Sequence, residues 1–247
     1  MTALCPTILA TSAGFVPHPR LRFTFGPMMA LAVDLASERG VVDGRRARIC
    51  VVGTASGDDA RFQRDMDEAA RDSGYELHHL SLFSQPNVDD VESYLRGFDV
   101  VWVNGGSVVN LLAVWRAHGL PEIFRTLWQE GVVLAGISAG SLCWFQGGTT
   151  DSFGPELAPV TDALGFLPYG NSVHHDSEDG RRPLIHRLVA DGTFSEAHCT
   201  DDGAGLVYRG TELAEAVTEK AGASAWRVRR DADGTTVEEQ VPTRLLR

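Results

Sequence analysis

Short runs of apolar and β-branched residues alternate along this chain with longer amphipathic stretches. The short runs predict strands at Thr7 to Ala10, Ala47 to Val52, Glu76 to Leu80, Val100 to Val103 and Val132 to Gly136. Between them the amphipathic pattern predicts helices at Met28 to Glu38, Ala60 to Ser73, Val88 to Leu95, Val108 to His118 and Pro121 to Glu130. Strands separated by helices of this length suit right-handed βαβ units, so the expected class is α/β, a mostly parallel sheet with helices on both faces. Beyond Gly147 the pattern changes to Gly, Pro, Thr and Asp, which predicts an irregular active-site loop from Gly148 to about Pro168. A helix at Arg182 to Ala190 and strands at Gly205 to Tyr208, Ala214 to Thr218, Ala225 to Arg229 and Thr236 to Gln240 follow, with a hairpin turn at Asp231 to Gly234.

With 247 residues, 43% of them hydrophobic, the chain can fill one sizeable core, and no linker or repeat divides it; a single domain over residues 1–247 is expected. The net charge of −11 is scattered, and no basic stripe is long enough to track a phosphate backbone, so nucleic acid is an unexpected partner. No apolar run approaches the roughly 18 residues a membrane span needs, and the N-terminus lacks the pattern of a secretory signal, so a cytoplasmic protein without a membrane partner is expected. The four cysteines, Cys5, Cys50, Cys143 and Cys199, are far apart and read as reduced thiols, mostly in the core.

The candidate chemistry centres on Val132-Val133-Leu134-Ala135-Gly136-Ile137-Ser138-Ala139-Gly140-Ser141, a strand run stopping at a serine between two glycines. Followed by helix formers from Ala139 to Phe145, it reads as a nucleophile elbow, with Ser138 as candidate nucleophile. A serine hydroxyl needs a base, and among the eight histidines His174 and His175 stand out in the polar segment Gly170-Asn171-Ser172-Val173-His174-His175-Asp176. His79, His118, His186 and His198 read as structural. A second glycine turn, Asn104-Gly105-Gly106-Ser107 at the end of a predicted strand, could supply an oxyanion hole, with Gly105, Gly106 and Ala139 as the backbone donors. Neither glycine run carries the lysine of a nucleotide loop, and the adjacent His174, His175 and Asp176 lack helical metal-ligand spacing; no cofactor or metal is expected.

Four ordered motifs, Thr54-Ala-Ser-Gly-Asp, Asn104-Gly-Gly-Ser-Val-Val-Asn110-Leu-Leu, Gly136-Ile-Ser-Ala-Gly-Ser and Val173-His-His-Asp, resemble the serine-peptidase family that contains peptidase E, the aspartyl dipeptidase, and cyanophycinase. The resemblance runs from about Thr7 to Tyr208 and implies a class I glutamine amidotransferase-like fold with serine in place of cysteine. It also implies a Ser-His-acid triad with Ser138 as nucleophile and His174 as base, His175 standing where the family places an aromatic residue. Thr149-Thr150-Asp151-Ser152 is similar to the family's acid-bearing stretch and makes Asp151 the first choice of acid, with Glu156, Asp176 and Glu178 as alternatives. Peptidase E likeness implies cleavage of small acidic Asp-X peptides. Such substrates ask for cations near the site, and Arg181 and Arg182 are candidates beside the reading of a solvated helix turn. A homodimer is an open option. The rival readings are an α/β-hydrolase-type esterase, whose histidine usually comes late in the chain, and a non-catalytic amidotransferase-like binding module.

Overall fold

In a computed structural model, which describes residues 5–38 and 45–247, the chain forms two β-sheets that share a core. Its strands are β1 (Thr7–Thr11), β2 (Phe15–Val16), β3 (Thr24–Phe25), β4 (Arg48–Val52), β5 (Glu76–Leu80), β6 (Val100–Val103), β7 (Val133–Ile137), β8 (Phe145–Thr150), β9 (Ala158–Val160), β10 (Leu167–Ser172), β11 (Glu196–Thr200), β12 (Ala204–Arg209), β13 (Glu212–Thr218), β14 (Ala225–Arg230), β15 (Thr236–Val241) and β16 (Thr243–Leu245). The helices are α1 (Pro27–Ser37), α2 (Ala60–Ser73), α3 (Val91–Leu95), α4 (Val108–Ala117), α5 (Leu120–Glu130), α6 (Ala139–Leu142) and α7 (Arg181–Ala190).

The first sheet has the order β16-β13-β12-β1-β7-β6-β4-β5 and is parallel from β1 to β5. Alternation of side chains along each strand divides its residues between two faces. Leu9, Ile49, Val51, Val100, Trp102, Val133 and Ala135 pack under α1 and α2, while Ile8, Cys50, Val52, Val101, Val103 and Leu134 pack against α4, α5 and α6. Both faces are therefore covered, which is why the central strands read as continuous apolar runs. The helix ends follow local chemistry. Asp59 caps α2 by accepting the Phe62 N–H, Ser107 caps α4 by accepting that of Asn110, and Gly74 and Gly131 close α2 and α5 in left-handed conformations.

The second sheet, β15-β14-β11-β10-β8-β9, departs from the sequence reading. Residues 148–168 are not one irregular loop, since β8, β9 and the start of β10 lie there, and the helix expected through Phe145 ends at Leu142. Phe145 and Leu167 are buried in the same cluster as Leu206 and Tyr208 of the first sheet, so the two sheets are packed by a shared apolar layer. On its far side the second sheet is covered by α7 through Leu184, Ile185, Leu188 and Val189. Between the sheets, the buried His198 bonds the Tyr208 hydroxyl through Nδ1 at 2.6 Å and Glu196 through Nε2 at 2.7 Å. Cys50, Cys143 and Cys199 are buried free thiols, whereas Cys5 is exposed. No helix among the described residues is long and apolar enough to cross a membrane.

Candidate active site

At the carboxyl ends of β6 and β7 the chain turns sharply, and Ser138 sits there at φ 58 and ψ −115 before α6 begins. A β-carbon-bearing residue held at positive φ costs on the order of 1–3 kcal/mol, which the surrounding packing must sustain. The flanking glycines explain how: a Cβ on Gly136 would strike the Gly140 carbonyl, and one on Gly140 would strike the Val103 carbonyl. Any larger residue at either position would force β6, β7 and α6 apart. The Ser138 N–H is bound by the Thr11 carbonyl at 3.0 Å. Its Oγ carries no hydrogen bond to any described residue, and it opens into a cavity of about 540 Å³.

His174 lines the same cavity, brought there by the turn that follows β10. It too has positive φ, 53°, and its Nδ1 lies 2.5 Å from Asp202 Oδ1. Burial acts to raise the Asp202 carboxyl, but hydrogen bonds from His174 and Ser177 and the nearby cationic groups outweigh it, holding that carboxyl below the ordinary range. An ionised carboxylate on Nδ1 selects the tautomer that leaves Nε2 free to accept a proton. Asp176 contributes one step back, its Oδ1 accepting the Asp202 N–H at 2.8 Å. The helix after the serine is tied to the strand before the histidine as well, since the Ser141 hydroxyl donates to Asn171 Oδ1 at 3.2 Å.

The carboxylate on the imidazole is thus that of Asp202, not of Asp151, Glu156, Asp176 or Glu178. Asp151 and Glu156 are exposed beyond β8, and Glu178 is paired with Arg181. In the sequence Asp202 lies in Thr200-Asp201-Asp202-Gly203, a run that reads as an ordinary turn and whose one signal is a pair of acids directly after a strand. His175, the neighbour of His174, is not part of the cavity lining. Its Nε2 bonds Glu238 at 3.0 Å, and burial lowers its pKa despite that carboxylate.

Both candidate cations are engaged elsewhere. Arg181 is 3% exposed and donates to the Thr149 carbonyl and to Glu178, while Arg182 lies over the Trp226 ring and against Glu238. The arginines that do line the cavity are Arg22, from the segment between β2 and β3, and Arg61, at the start of α2. Arg22 is paired with Asp65 at 3.0 Å, whereas Arg61 is exposed and has no ion pair among the described residues. Phe15, Phe62, Ser56 and Asp59 complete this wall.

Of the two turn glycines, Gly105 is the one beside Ser138: a Cβ built there would lie 3.2 Å from Ser138 Cβ. Gly106, at φ 138, points toward the Ala55 carbonyl instead. Ala139 is the first residue of α6, a position whose N–H has no acceptor within the helix. Gly106→Ala is expected to displace the turn against the unyielding Ala55 backbone, lowering the melting temperature by several degrees and turnover by about tenfold or more. Unchanged melting and turnover would show that the turn can absorb a methyl group. Among the described residues, no cluster of three or more His, Cys, Asp or Glu is gathered in a way that could hold a metal ion.

A serine on a strained strand-to-helix turn that lines one cavity of an α/β fold together with a carboxylate-bound histidine is a serine-hydrolase type of site. Residues 38–216 match the sequence profile of Peptidase family S51, and the chain belongs to that family of serine peptidases. It is 39% identical over 199 residues to the uncharacterised peptidase YgaJ of Bacillus subtilis (strain 168), a match covering 81% of this chain and 85% of that one. Its fold is similar to that of a candidate peptidase E protein from Listeria monocytogenes EGD-e, with TM-score 0.56 and 12% identity over 96% of this chain and 100% of that one. A peptidase from an acI-B1 actinobacterium has TM-score 0.65 and 18% identity over 98% and 96% of the two chains.

Proposed function

We propose that this peptidase is an aspartyl dipeptidase-like enzyme that cleaves short acidic Asp-X peptides through Ser138, His174 and Asp202. The observation that carries the reading is the shared cavity of Ser138 and His174, with the imidazole held by Asp202 at 2.5 Å. In the forward step His174 Nε2 takes the Ser138 proton as Oγ attacks the scissile carbonyl, and the same imidazole then protonates the leaving amine. Water repeats the sequence on the acyl-enzyme. The N–H groups of Gly105 and Ala139 are the donors for the oxyanion, being beside the nucleophile and at the open start of α6.

Support for acidic substrates comes from Arg61, which lines the cavity and has no ion pair among the described residues. A carboxylate entering this wall gains a charge-assisted hydrogen bond, and Arg61→Ala is expected to raise KM for Asp-X by about tenfold while changing kcat much less. The deciding experiment compares hydrolysis of Asp-X, Ala-X and Lys-X dipeptides and of p-nitrophenyl esters. Preference for Asp-X supports the reading. Equal rates on Ala-X, or much faster ester cleavage, would replace it with a broader peptidase or an esterase.

A further inference from the structure

We propose that Thr11 and Ser12, where the chain leaves β1, form the strut that holds nucleophile and base in register, and that the Ser12 hydroxyl is a positioning residue for the reaction. This rests on the reading of Ser138 and His174 as nucleophile and base. Those two residues come from different sheets, Ser138 following β7 of the first and His174 following β10 of the second, so neither sheet alone sets their separation. Both are also held at positive φ, where a side-chain-bearing residue relaxes unless its peptide groups are fixed.

The dipeptide touches every part of the constellation. The Thr11 carbonyl accepts the Ser138 N–H at 3.0 Å, Ser12 Oγ accepts the His174 N–H at 3.1 Å, and the Ser12 carbonyl accepts the N–H of Gly203, next to Asp202, at 3.2 Å. Because Ser12 Oγ accepts from His174, its own proton is free for Thr200, whose Oγ1 lies 2.7 Å away and whose carbonyl lies 3.3 Å away. Thr200 ends β11 of the second sheet and its carbonyl binds the His175 N–H at 3.0 Å. Ser12 is 6% exposed, so these groups are satisfied by one another rather than by bulk solvent. The two backbone contacts could be made by any residue. The contact to His174 requires a hydroxyl on residue 12, which makes it open to mutation. Loss of that acceptor frees the strained peptide to relax, and a shift of about 1 Å in a reacting group can cost on the order of 100-fold in rate.

The test measures kcat, KM and the rate of fluorophosphonate labelling in Ser12→Ala, Ser12→Val and Ser12→Thr, with Ser138→Ala as reference. Alanine and valine are expected to lower kcat and labelling by about tenfold or more with KM within about twofold, and threonine, the same shape as valine with the hydroxyl kept, to retain most of both. Wild-type labelling in Ser12→Ala, or an equal loss in threonine and valine, overturns the proposal. If the two larger residues prevent folding, the alanine variant, which needs no extra space, decides alone. Silence in Ser138→Ala together with normal Ser12→Ala sinks the strut only, whereas full labelling in Ser138→Ala sinks the catalytic reading beneath it.

Discussion

Ser138→Ala is expected to reduce peptide hydrolysis by about a thousandfold or more and to abolish fluorophosphonate labelling, while the protein melts within a few degrees of the wild type. The large kinetic effect follows from the proposed mechanism, in which the acyl-enzyme forms on Oγ. The small stability effect follows from the same geometry. Ser138 Oγ has no hydrogen bond to any described residue, so its removal orphans no partner, and alanine occupies φ 58 no more easily than serine does. Activity and melting therefore separate at this residue, as they do not for a residue that supports packing. Hydrolysis above about a hundredth of wild type in the purified variant would move the nucleophile elsewhere.

Asp202→Asn is expected to lower kcat by about 100-fold or more, with Asp151→Asn within about twofold of wild type. The asparagine keeps the shape of the side chain but removes the charge that fixes the imidazole tautomer and stabilises the imidazolium formed during attack. Asp151, exposed and outside the cavity lining, has no such part. Stability provides an independent check with a definite sign. The Asp202 carboxyl is held below its unfolded value, so it contributes stability at pH above about 4, and that contribution is lost as pH falls through the folded value. Wild type should then melt above Asp202→Asn at neutral pH, with the gap shrinking in acid. A loss of activity in Asp151→Asn and none in Asp202→Asn would reverse the assignment of the acid.

Much of the first sheet was legible because its central strands are buried on both faces and read as unbroken apolar runs, as at Val100–Val103 and Val133–Ile137. The second sheet was not. Its strand β8 reads Phe-Gln-Gly-Gly-Thr-Thr, which resembles a loop; yet Gly147 and Gly148 are there because the Val160 and Asn171 carbonyls lie where side chains would otherwise project. A glycine that admits a close neighbour looks the same in sequence as one that makes a turn. The places of Arg181 and Arg182 are illegible in the sequence for a related reason. Nothing in the order Gly180-Arg-Arg-Pro shows that one guanidinium is buried against Thr149 and the other rests on Trp226.

The amino-acid order alone determined which residue could be the nucleophile, since the elbow is a local device whose strand, glycines and helix start are contiguous. It also singled out the His174-His175 pair as the histidines in a polar segment after the serine. Only the tertiary structure decided that His174 and not His175 shares the cavity with Ser138, that Asp202 holds its imidazole, and that Arg22 and Arg61 line that cavity while Arg181 and Arg182 do not. Those groups meet only because two sheets close on one another, and the distance between side chains from separate sheets is set by packing that no local pattern records.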